Sequence, residues 1–276
     1  DVRYSDAILA HWPNAVFFRE SLLERGEFPF WRETTMGGVP FAANPLNKTA
    51  YPFQWLLLLL PPSLHLNFLI LLHLFIAGSG MWFWVRSLGL CVEAAAISTL
   101  AYVLAPRMIG HMGAGHLDVF YALAWWPWLM WAARQTANNS GQRWVNLVQL
   151  ALFAALLLLA DVRVSLFAFA TAVIYTFIDL NRARAWKNFG WYGLAGVIFL
   201  LLTFSLLVPL LLWQPYMSRA SLSSADAGVL ALQPIHFLGL ILPAHRPSIE
   251  PLTYLGLPVL ALATVFGLVA RTHGEM

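Results

Sequence analysis

The residues that could do chemistry lie in a few short polar segments of an otherwise apolar chain. The first fifty residues form the longest polar stretch and carry two early acids, Asp1 and Asp6. Further on come arginine, histidine and carboxylate groups in three segments: Arg107, His111, His116 and Asp118; Asp161 and Arg163; and Arg219. A carboxylate can act as a general base toward a hydroxyl group, whereas arginine and histidine can hold a phosphate group. The set therefore favours group transfer from a phosphate-linked donor, although the same set would suit a transporter.

Familiar sequence motifs for other chemistries are absent. No glycine-rich phosphate loop follows a predicted strand, and neither G-x-S-x-G nor H-E-x-x-H occurs. The single cysteine, Cys91, excludes an internal disulfide framework and a C-x-x-C metal site. No basic patch is interleaved with aromatic residues on a polar surface, so nucleic acid is not an expected partner.

The composition indicates a membrane protein. Of the 276 residues, 60% are hydrophobic and 11% are charged, whereas soluble domains have about 25% charged residues. A spanning helix needs about 20 predominantly apolar residues, and only helices satisfy the backbone of such segments in lipid. We therefore predict an all-α, polytopic helical bundle. Its spanning helices, about seven in number, are placed at residues 64–85, 92–108, 118–134, 144–160, 164–180, 189–213 and 252–270.

The residues before the bundle predict a polar first loop. Because proline favours the first turn of a helix, an interfacial helix is predicted from Trp12 or Pro13 to Arg25. It mixes apolar and charged residues, which is typical of a helix that lies along the membrane surface. Residues 51–60 are apolar but too short to span, which indicates a re-entrant or interfacial segment. The chain thus divides into a loop domain, 1–62, and a transmembrane bundle, 63–276, and is interpreted as a fragment of a longer protein.

The charges of the loops orient the bundle. If the first loop lies on one side, alternation of the seven helices puts seven basic and three acidic residues on the other. The basic residues are Arg86, Arg134, Arg143, Arg182, Arg184, Lys187 and Arg271, and the acidic ones are Glu93, Asp179 and Glu275. Because short cytoplasmic loops are rich in lysine and arginine, that side is assigned to the cytoplasm. We therefore expect a multi-pass protein of the cytoplasmic membrane with its first loop outside.

The same alternation places the polar segments at the outer face. Residues 107–118 are interpreted as a glycine-containing turn with His111 in a mobile part of it, and Asp161 and Arg163 as an ion pair at a tight helical hairpin. Ionisable groups at membrane depth are costly and usually face a cavity. We therefore expect a polar pocket that opens outward. The tryptophans among residues 125–131 are interpreted as an interfacial belt.

A series of short motifs resembles one family along essentially the whole chain. The first loop contributes G-E-F-P-F-W at 26–31, G-G-V-P-F at 37–41, A-N-P at 43–45 and Y-P at 51–52. The rest contributes H-L-F-I-A-G-S-G-M at 73–81, G-H-L at 115–117, W-P at 126–127, S-R at 218–219 and Y-L-G-L-P at 254–258. In this order they resemble the bacterial YfhO-like integral membrane proteins, which are placed among the GT-C type glycosyltransferases.

The resemblance implies a multispanning enzyme that uses a polyprenyl-phosphate-linked sugar, with its active site outside the cytoplasmic membrane. In such enzymes the first outer loop carries the acid that is regarded as catalytic. By position Asp6, seven residues before Pro13, matches that acid, and Asp1 is the second choice. The chain departs from the family at residues 160–163, where many relatives have Gly-His-Pro-Gln and this chain has Ala-Asp-Val-Arg. The role of this turn is therefore left open.

The leading hypothesis is transfer of a sugar from the polyprenyl-phosphate donor to an extracytoplasmic acceptor, which is a cell-envelope polymer, a lipid or a protein. Asp6 would deprotonate the acceptor hydroxyl or hold a divalent cation, Mg²⁺ or Mn²⁺, and His116 and Arg219 would contact the phosphate. Further candidates for substrate or phosphate binding are Arg107, His111, Asp118, Asp161 and Arg163. Two alternatives remain: a transporter or flippase of a lipid-linked substrate, and a non-catalytic envelope-assembly protein. The last predicts that Asp6 and its neighbours do not converge on one cavity.

Overall fold

The computed structural model describes residues 5–138, 140–182, 186–217, 234–242, 259–261 and 263–265. These residues are mostly helical, which confirms the predicted all-α class. The α-helices that shape the fold are α1 (Trp12–Leu23), α2 (Pro62–Ser87), α3 (Val92–Val103), α4 (Pro106–Ala114), α5 (Leu117–Asn138), α6 (Arg143–Ala160), α7 (Val162–Arg182) and α8 (Phe189–Trp213). A two-residue hairpin, β1 (Trp31–Arg32) with β2 (Val39–Pro40), pairs antiparallel in the first loop.

Five helical segments of the described chain are long and apolar enough to cross a membrane. They are Pro62–Ser87, Val92–Ala114, Arg143–Ala160, Val162–Arg182 and Trp186–Tyr216. Each coincides with a predicted span, so a multi-pass membrane protein is indicated. The second of these segments bends between α3 and α4, where Ala105 precedes Pro106 and leaves the helical conformation. The predicted span at 252–270 lies outside the described residues except for 259–261 and 263–265.

Helix α5 is the centre of the bundle. It packs against α2, α6 and α7, with smaller contacts to α4 and α8. Its polar aromatic residues lower its hydropathy, so it is not among the five apolar spans, although a span was predicted at 118–134. Most of its residues are buried, including Phe120, Tyr121 and Trp125. Neighbouring helices, and not lipid, cover this helix.

Trp125 of α5 is buried inside the bundle, so it was wrong to place this residue in an interfacial belt. Trp126, Trp128 and Trp131 are half-buried, and for them the belt stays a prediction. Trp128 lies against Gly80 of α2, where a Cβ atom would come within 2.5 Å of the indole Cδ1. The Trp128 indole N–H also donates a hydrogen bond to the Ile76 carbonyl, at 2.8 Å. A glycine at position 80 therefore lets α2 approach α5 closely enough for an indole to fill the contact.

A buried hydrogen-bond chain ties the first loop to the bundle. His73 Nδ1 lies 2.7 Å from the Leu69 carbonyl, and because a carbonyl can only accept, Nδ1 carries the proton. The other ring nitrogen of His73, Nε2, therefore accepts from the Tyr51 hydroxyl at 2.5 Å. The Tyr51 oxygen in turn accepts from the Trp125 indole N–H at 2.8 Å. All three side chains are almost fully buried, so each polar group is satisfied without water.

The first loop covers one end of the bundle, which we call the loop end; the opposite end is the far end. Helix α1 is preceded by a π-helical turn, Ala7–His11, so the helical segment begins earlier than predicted. Phe17 and Phe18 of α1 pack with Phe41 and Leu57 in a small hydrophobic cluster within the loop. Over the predicted re-entrant residues the chain forms a 3₁₀ helix, Pro52–Leu58.

Candidate functional site

Asp6 and His116 lie side by side at the loop end of the bundle. Asp6 Oδ2 is 3.4 Å from His116 Nε2, and His116 Nδ1 is 3.2 Å from His111 Nδ1. Asp6 precedes the π-helical turn, whereas His116 stands in the link between α4 and α5. The Asp6 side chain is 56% exposed and His111 is only 5% exposed. A carboxylate and two imidazoles therefore form a row that leads from the surface into the protein.

Gly115 makes the contact between Asp6 and His116 sterically feasible. It ends α4 in the left-handed conformation, with φ at +78°. A Cβ atom at this position would lie 2.4 Å from the Ala7 backbone nitrogen and 3.1 Å from that of Asp6. The two backbones can approach this closely only because residue 115 has no side chain.

When Asp6 is ionised and both histidines are neutral, the contacts determine which ring nitrogen of each histidine carries the proton. A carboxylate can only accept a hydrogen bond, so His116 presents Nε2–H to Asp6 and keeps a lone pair on Nδ1. His111 must then donate from Nδ1 to His116, which leaves a lone pair on His111 Nε2. That nitrogen is buried and has no hydrogen-bond partner among the described residues. The row thus ends in a buried nitrogen whose lone pair can accept a hydrogen bond.

A second polar group is buried at the same end of the bundle. The Lys48 ammonium donates to Asp118 Oδ1 and, at 3.1 Å, to the Ala160 carbonyl. His11 Nε2 is 3.9 Å from the same Asp118 oxygen. Lys48, His11 and Asp118 are all buried. Because Lys48 belongs to the first loop, Asp118 to α5 and Ala160 to α6, the ammonium joins three parts of the fold.

Asp161 and Arg163 complete the charged cluster. Asp161 Oδ1 accepts the backbone N–H groups of Arg163 at 2.7 Å and Val164 at 3.0 Å, which caps the start of α7. Its other oxygen is 2.6 Å from Arg163 Nη2, and this nitrogen also lies 3.9 Å from Asp118 Oδ2. The Arg163 side chain is 66% exposed. The turn therefore combines a helix cap with an arginine that keeps one edge toward solvent.

Burial and charge shift the titration of two groups in the loop. Burial is the largest cause that lowers the pKa of His11 to about 3, and the Lys48 charge lowers it further. His11 is therefore neutral at pH 7. Burial also lowers the pKa of Lys48 to about 7, while the nearby Asp161 opposes this shift and Arg163 adds to it. Direct contact with Asp118 favours the charged form of Lys48.

Two adjoining clefts border the cluster on its α8 side. The larger, of about 830 Å³, has Asp161 and Arg163 on one wall and the β-hairpin and the end of α8 on the others. The smaller, of about 610 Å³, is lined mainly by aromatic and apolar residues, including Phe28, Phe30 and Pro209. Trp31 and Trp213, with ring centroids 6.1 Å apart, line both clefts. The pair of clefts therefore offers a charged compartment beside an apolar one.

The structure brings together most of the predicted site residues. Those that converge at the loop end are Asp6, His111, His116, Asp118, Asp161 and Arg163. Arg107 lies exposed on α4, close enough for its charge to act on His111. Asp1 and Arg219 lie outside the described residues.

Two expectations about residues 107–118 were wrong. Pro106–Ala114 is a helix, α4, and not a turn. His111 is consequently buried in that helix and does not belong to a mobile loop. Proline at the first helical position and glycine just after the last are ordinary boundary signals of a helix. Pro106 and Gly115 therefore mark both ends of α4 in the sequence.

Lys48 and His11 are the members of the cluster that the sequence analysis missed. A lysine that directly precedes an apolar segment is a signal for a group at membrane depth, where a charge needs a partner. Its partner Asp118 was a candidate, but nothing local joins the two positions. His11 gives a weaker signal, because a single histidine near a helix start is usually only a packing residue.

The described parts of the chain contain no group of three or more His, Cys, Asp or Glu side chains placed to hold a metal ion. No family model matches the chain, and no curated protein or solved structure matches it either.

Proposed function

We propose that the protein is a membrane glycosyltransferase of the GT-C type, related to the YfhO-like proteins. It moves a sugar from a polyprenyl-phosphate-linked donor to a hydroxyl group of an extracytoplasmic acceptor. The observation that carries the proposal is the half-exposed Asp6 beside His116, at the same end of the bundle as a solvent-facing arginine on a large cleft. A base and a phosphate ligand at one membrane surface are what this transfer requires.

In the proposed step Asp6 acts as the general base. Its carboxylate takes the proton from the acceptor hydroxyl while the hydroxyl oxygen forms a bond to the anomeric carbon of the sugar. The bond from that carbon to the phosphate oxygen breaks, and polyprenyl phosphate leaves with the electron pair. The Nε2–H of His116 holds Asp6 in place, and His111 holds the His116 ring through its Nδ1.

Arg163 is the proposed phosphate ligand. Its guanidinium is oriented by Asp161 and exposes an edge to the larger cleft, where it could meet the leaving phosphate. The apolar cleft next to it suits the first part of a prenyl chain. An amphiphilic donor would therefore place its phosphate near Arg163 and its chain beyond the Trp31–Trp213 pair. The charge of Lys48 is paired with Asp118, so Lys48 is not assigned to the phosphate. It serves to position the cluster.

The proposal places the protein in the cytoplasmic membrane with the loop end outside. The charge distribution of the loops supports this orientation. A transporter or flippase would need a polar route between the two ends of the bundle. The charged cluster lies at the loop end, and the other buried ion pair of the described chain, Arg134 with Asp179, joins α5 to α7 near the far end. The helix segments between them carry no ion pair among the described residues, which favours transfer over transport.

The test uses the full protein in proteoliposomes with a radiolabelled polyprenyl-phosphate hexose and a cell-envelope extract as acceptor. Asp6→Asn is expected to abolish label transfer while the protein stays folded in the membrane. Glu20→Gln is the matched control, since Glu20 is an exposed acid on α1. Undiminished transfer by the Asp6 variant would refute the role of Asp6. Movement of the labelled donor across the bilayer without transfer would replace the proposal with a flippase.

A further inference from the structure

A separate apolar cavity lies deeper in the bundle. It has a volume of about 380 Å³ and is enclosed mainly by α6, α7 and α8. Small and aromatic side chains line it, among them Ala151, Phe169, Ala172 and Phe199. Its α7 residues, 169–177, lie roughly 10–22 Å along the helix from Val162, at about 1.5 Å per residue. The cavity is therefore in the middle and far half of the bundle, away from the charged cluster.

The cavity opens sideways between the helices. Val173, Phe177 and Phe189 line it and are also exposed on the outer surface of the bundle. They belong to segments that are long and apolar enough to cross a membrane, Val162–Arg182 and Trp186–Tyr216. The opening at Val173, near the middle of α7, therefore faces the hydrocarbon of a bilayer, whereas Phe189 lies at the far end, close to Lys187.

Water is a poor occupant of this cavity. A buried water needs two to four polar partners, and an engineered apolar cavity of about 150 Å³ stays dry and binds benzene instead. The polar groups among the lining residues are already engaged: Tyr192 donates to the Ala133 carbonyl at 2.7 Å, and Thr176 hydrogen-bonds to Tyr192. An empty cavity would forfeit the dispersion contacts of its walls. A hydrocarbon chain restores those contacts.

We infer that the cavity binds a fatty-acyl chain of a phospholipid from the surrounding bilayer. The chain enters through the opening at Val173 and Phe189 and lies between α7 and α8. The polar cleft of the proposed enzyme site lies elsewhere: its α8 residues begin at Leu210, about 16 Å along the helix from Phe199. The lipid site is thus separate from the proposed donor site. The inference does not depend on the proposed glycosyltransferase activity.

The test is photolabelling of the whole protein in nanodiscs that contain a phosphatidylglycerol with a diazirine in the middle of its acyl chain. Labelled residues are mapped by peptide mass spectrometry. We expect labels on Ala151 and Ala172, which are buried, as well as on the lipid-facing Val197 and Leu200. Labels on Val197 and Leu200 alone would overturn the inference, because they would show that the probe reached the bundle but not the cavity.

Two glycines of α8 provide a matched pair of variants. At either Gly193 or Gly196 an added Cβ would meet no described atom within 4 Å, but only Gly196 lines the cavity. Gly196→Leu is therefore expected to reduce labelling of Ala151 and Ala172 severalfold, whereas Gly193→Leu leaves it unchanged. Equal labelling in both variants would contradict the site. Labelling of the cavity by a diazirine polyprenyl phosphate but not by the phospholipid would contradict the assigned ligand.

Discussion

Lys48 and Asp118, which are 70 residues apart in the sequence, form an ion pair that is buried where the first loop meets α5. The pair and the Asp6–His116 contact both lie at the loop end, and Arg163, which is 3.9 Å from Asp118, lines the larger cleft. A charge buried on each side of the junction fixes how the loop sits on the bundle. The first loop, which carries Asp6, is thereby held in a fixed position relative to α5, the helix that directly follows His116.

Lys48→Met should destabilise the protein by about 3–5 kcal/mol, since it leaves the Asp118 carboxylate buried without its cation. The double variant Lys48→Met/Asp118→Leu should recover much of that loss, because both charges are then removed. The free energy of unfolding is measured in detergent micelles. Lys187→Met is the control, as Lys187 is exposed at the far end. A single variant as stable as the wild type would show that the pair contributes nothing.

The stability of the loop should fall in acid because of His11. Its pKa is lowered to about 3 in the folded protein, whereas the unfolded chain titrates near the ordinary value of about 6.5. The unfolded state therefore takes up a proton first as pH falls below about 6.5, and stability is lost down to about pH 3. The contribution of His11 to the slope is about 1.4 kcal/mol per pH unit between pH 6 and 4.

His11→Gln tests this contribution, since glutamine does not titrate. The free energy of unfolding is measured between pH 7 and pH 4 for the wild type and the variant. The slope of the variant should be shallower by about the amount that one histidine contributes. Identical slopes would mean that His11 titrates alike in the folded and unfolded states.

The sequence predicted which groups gather at the loop end but not how they touch. Alternation of apolar segments put Asp6, His116 and Asp161 on one face. Successive spans run in opposite directions, so the number of spans before a loop determines which end of the bundle it reaches. The contact of Asp6 with His116 depends on Gly115 and on where the π-helical turn begins, and neither follows from hydropathy. The burial of α5 was missed for a similar reason. A tryptophan that packs on another helix and one that lies at a membrane surface look alike in a sequence.

Gly115→Ala should separate Asp6 from His116. Alanine in a left-handed conformation costs about 1–2 kcal/mol, and its Cβ would collide with the Ala7 backbone, which must then move. We expect sugar transfer to be lost while the protein remains folded, with a modestly lower free energy of unfolding. Gly113→Ala is the matched control, because Gly113 is exposed on the same helix and no described atom lies within 4 Å of its Cβ position. Full activity in the Gly115 variant would show that the close approach of the two backbones is not needed.

Arg163→Gln should weaken binding of the phosphate donor more than it slows the chemical step. A hydrogen bond to a charged group contributes about 1.5–3 kcal/mol, so the KM for the donor should rise tenfold or more, with a smaller change in kcat. The helix cap should survive, because Asp161 accepts hydrogen bonds from the backbone N–H groups of residues 163 and 164 as well as from the guanidinium.

Arg25→Gln serves as the control, since Arg25 is an exposed arginine just after α1 that hydrogen-bonds to Ser21. Steady-state kinetics with varied donor concentration separates the two parameters. A fall in kcat with an unchanged KM would move Arg163 from donor binding to transition-state stabilisation.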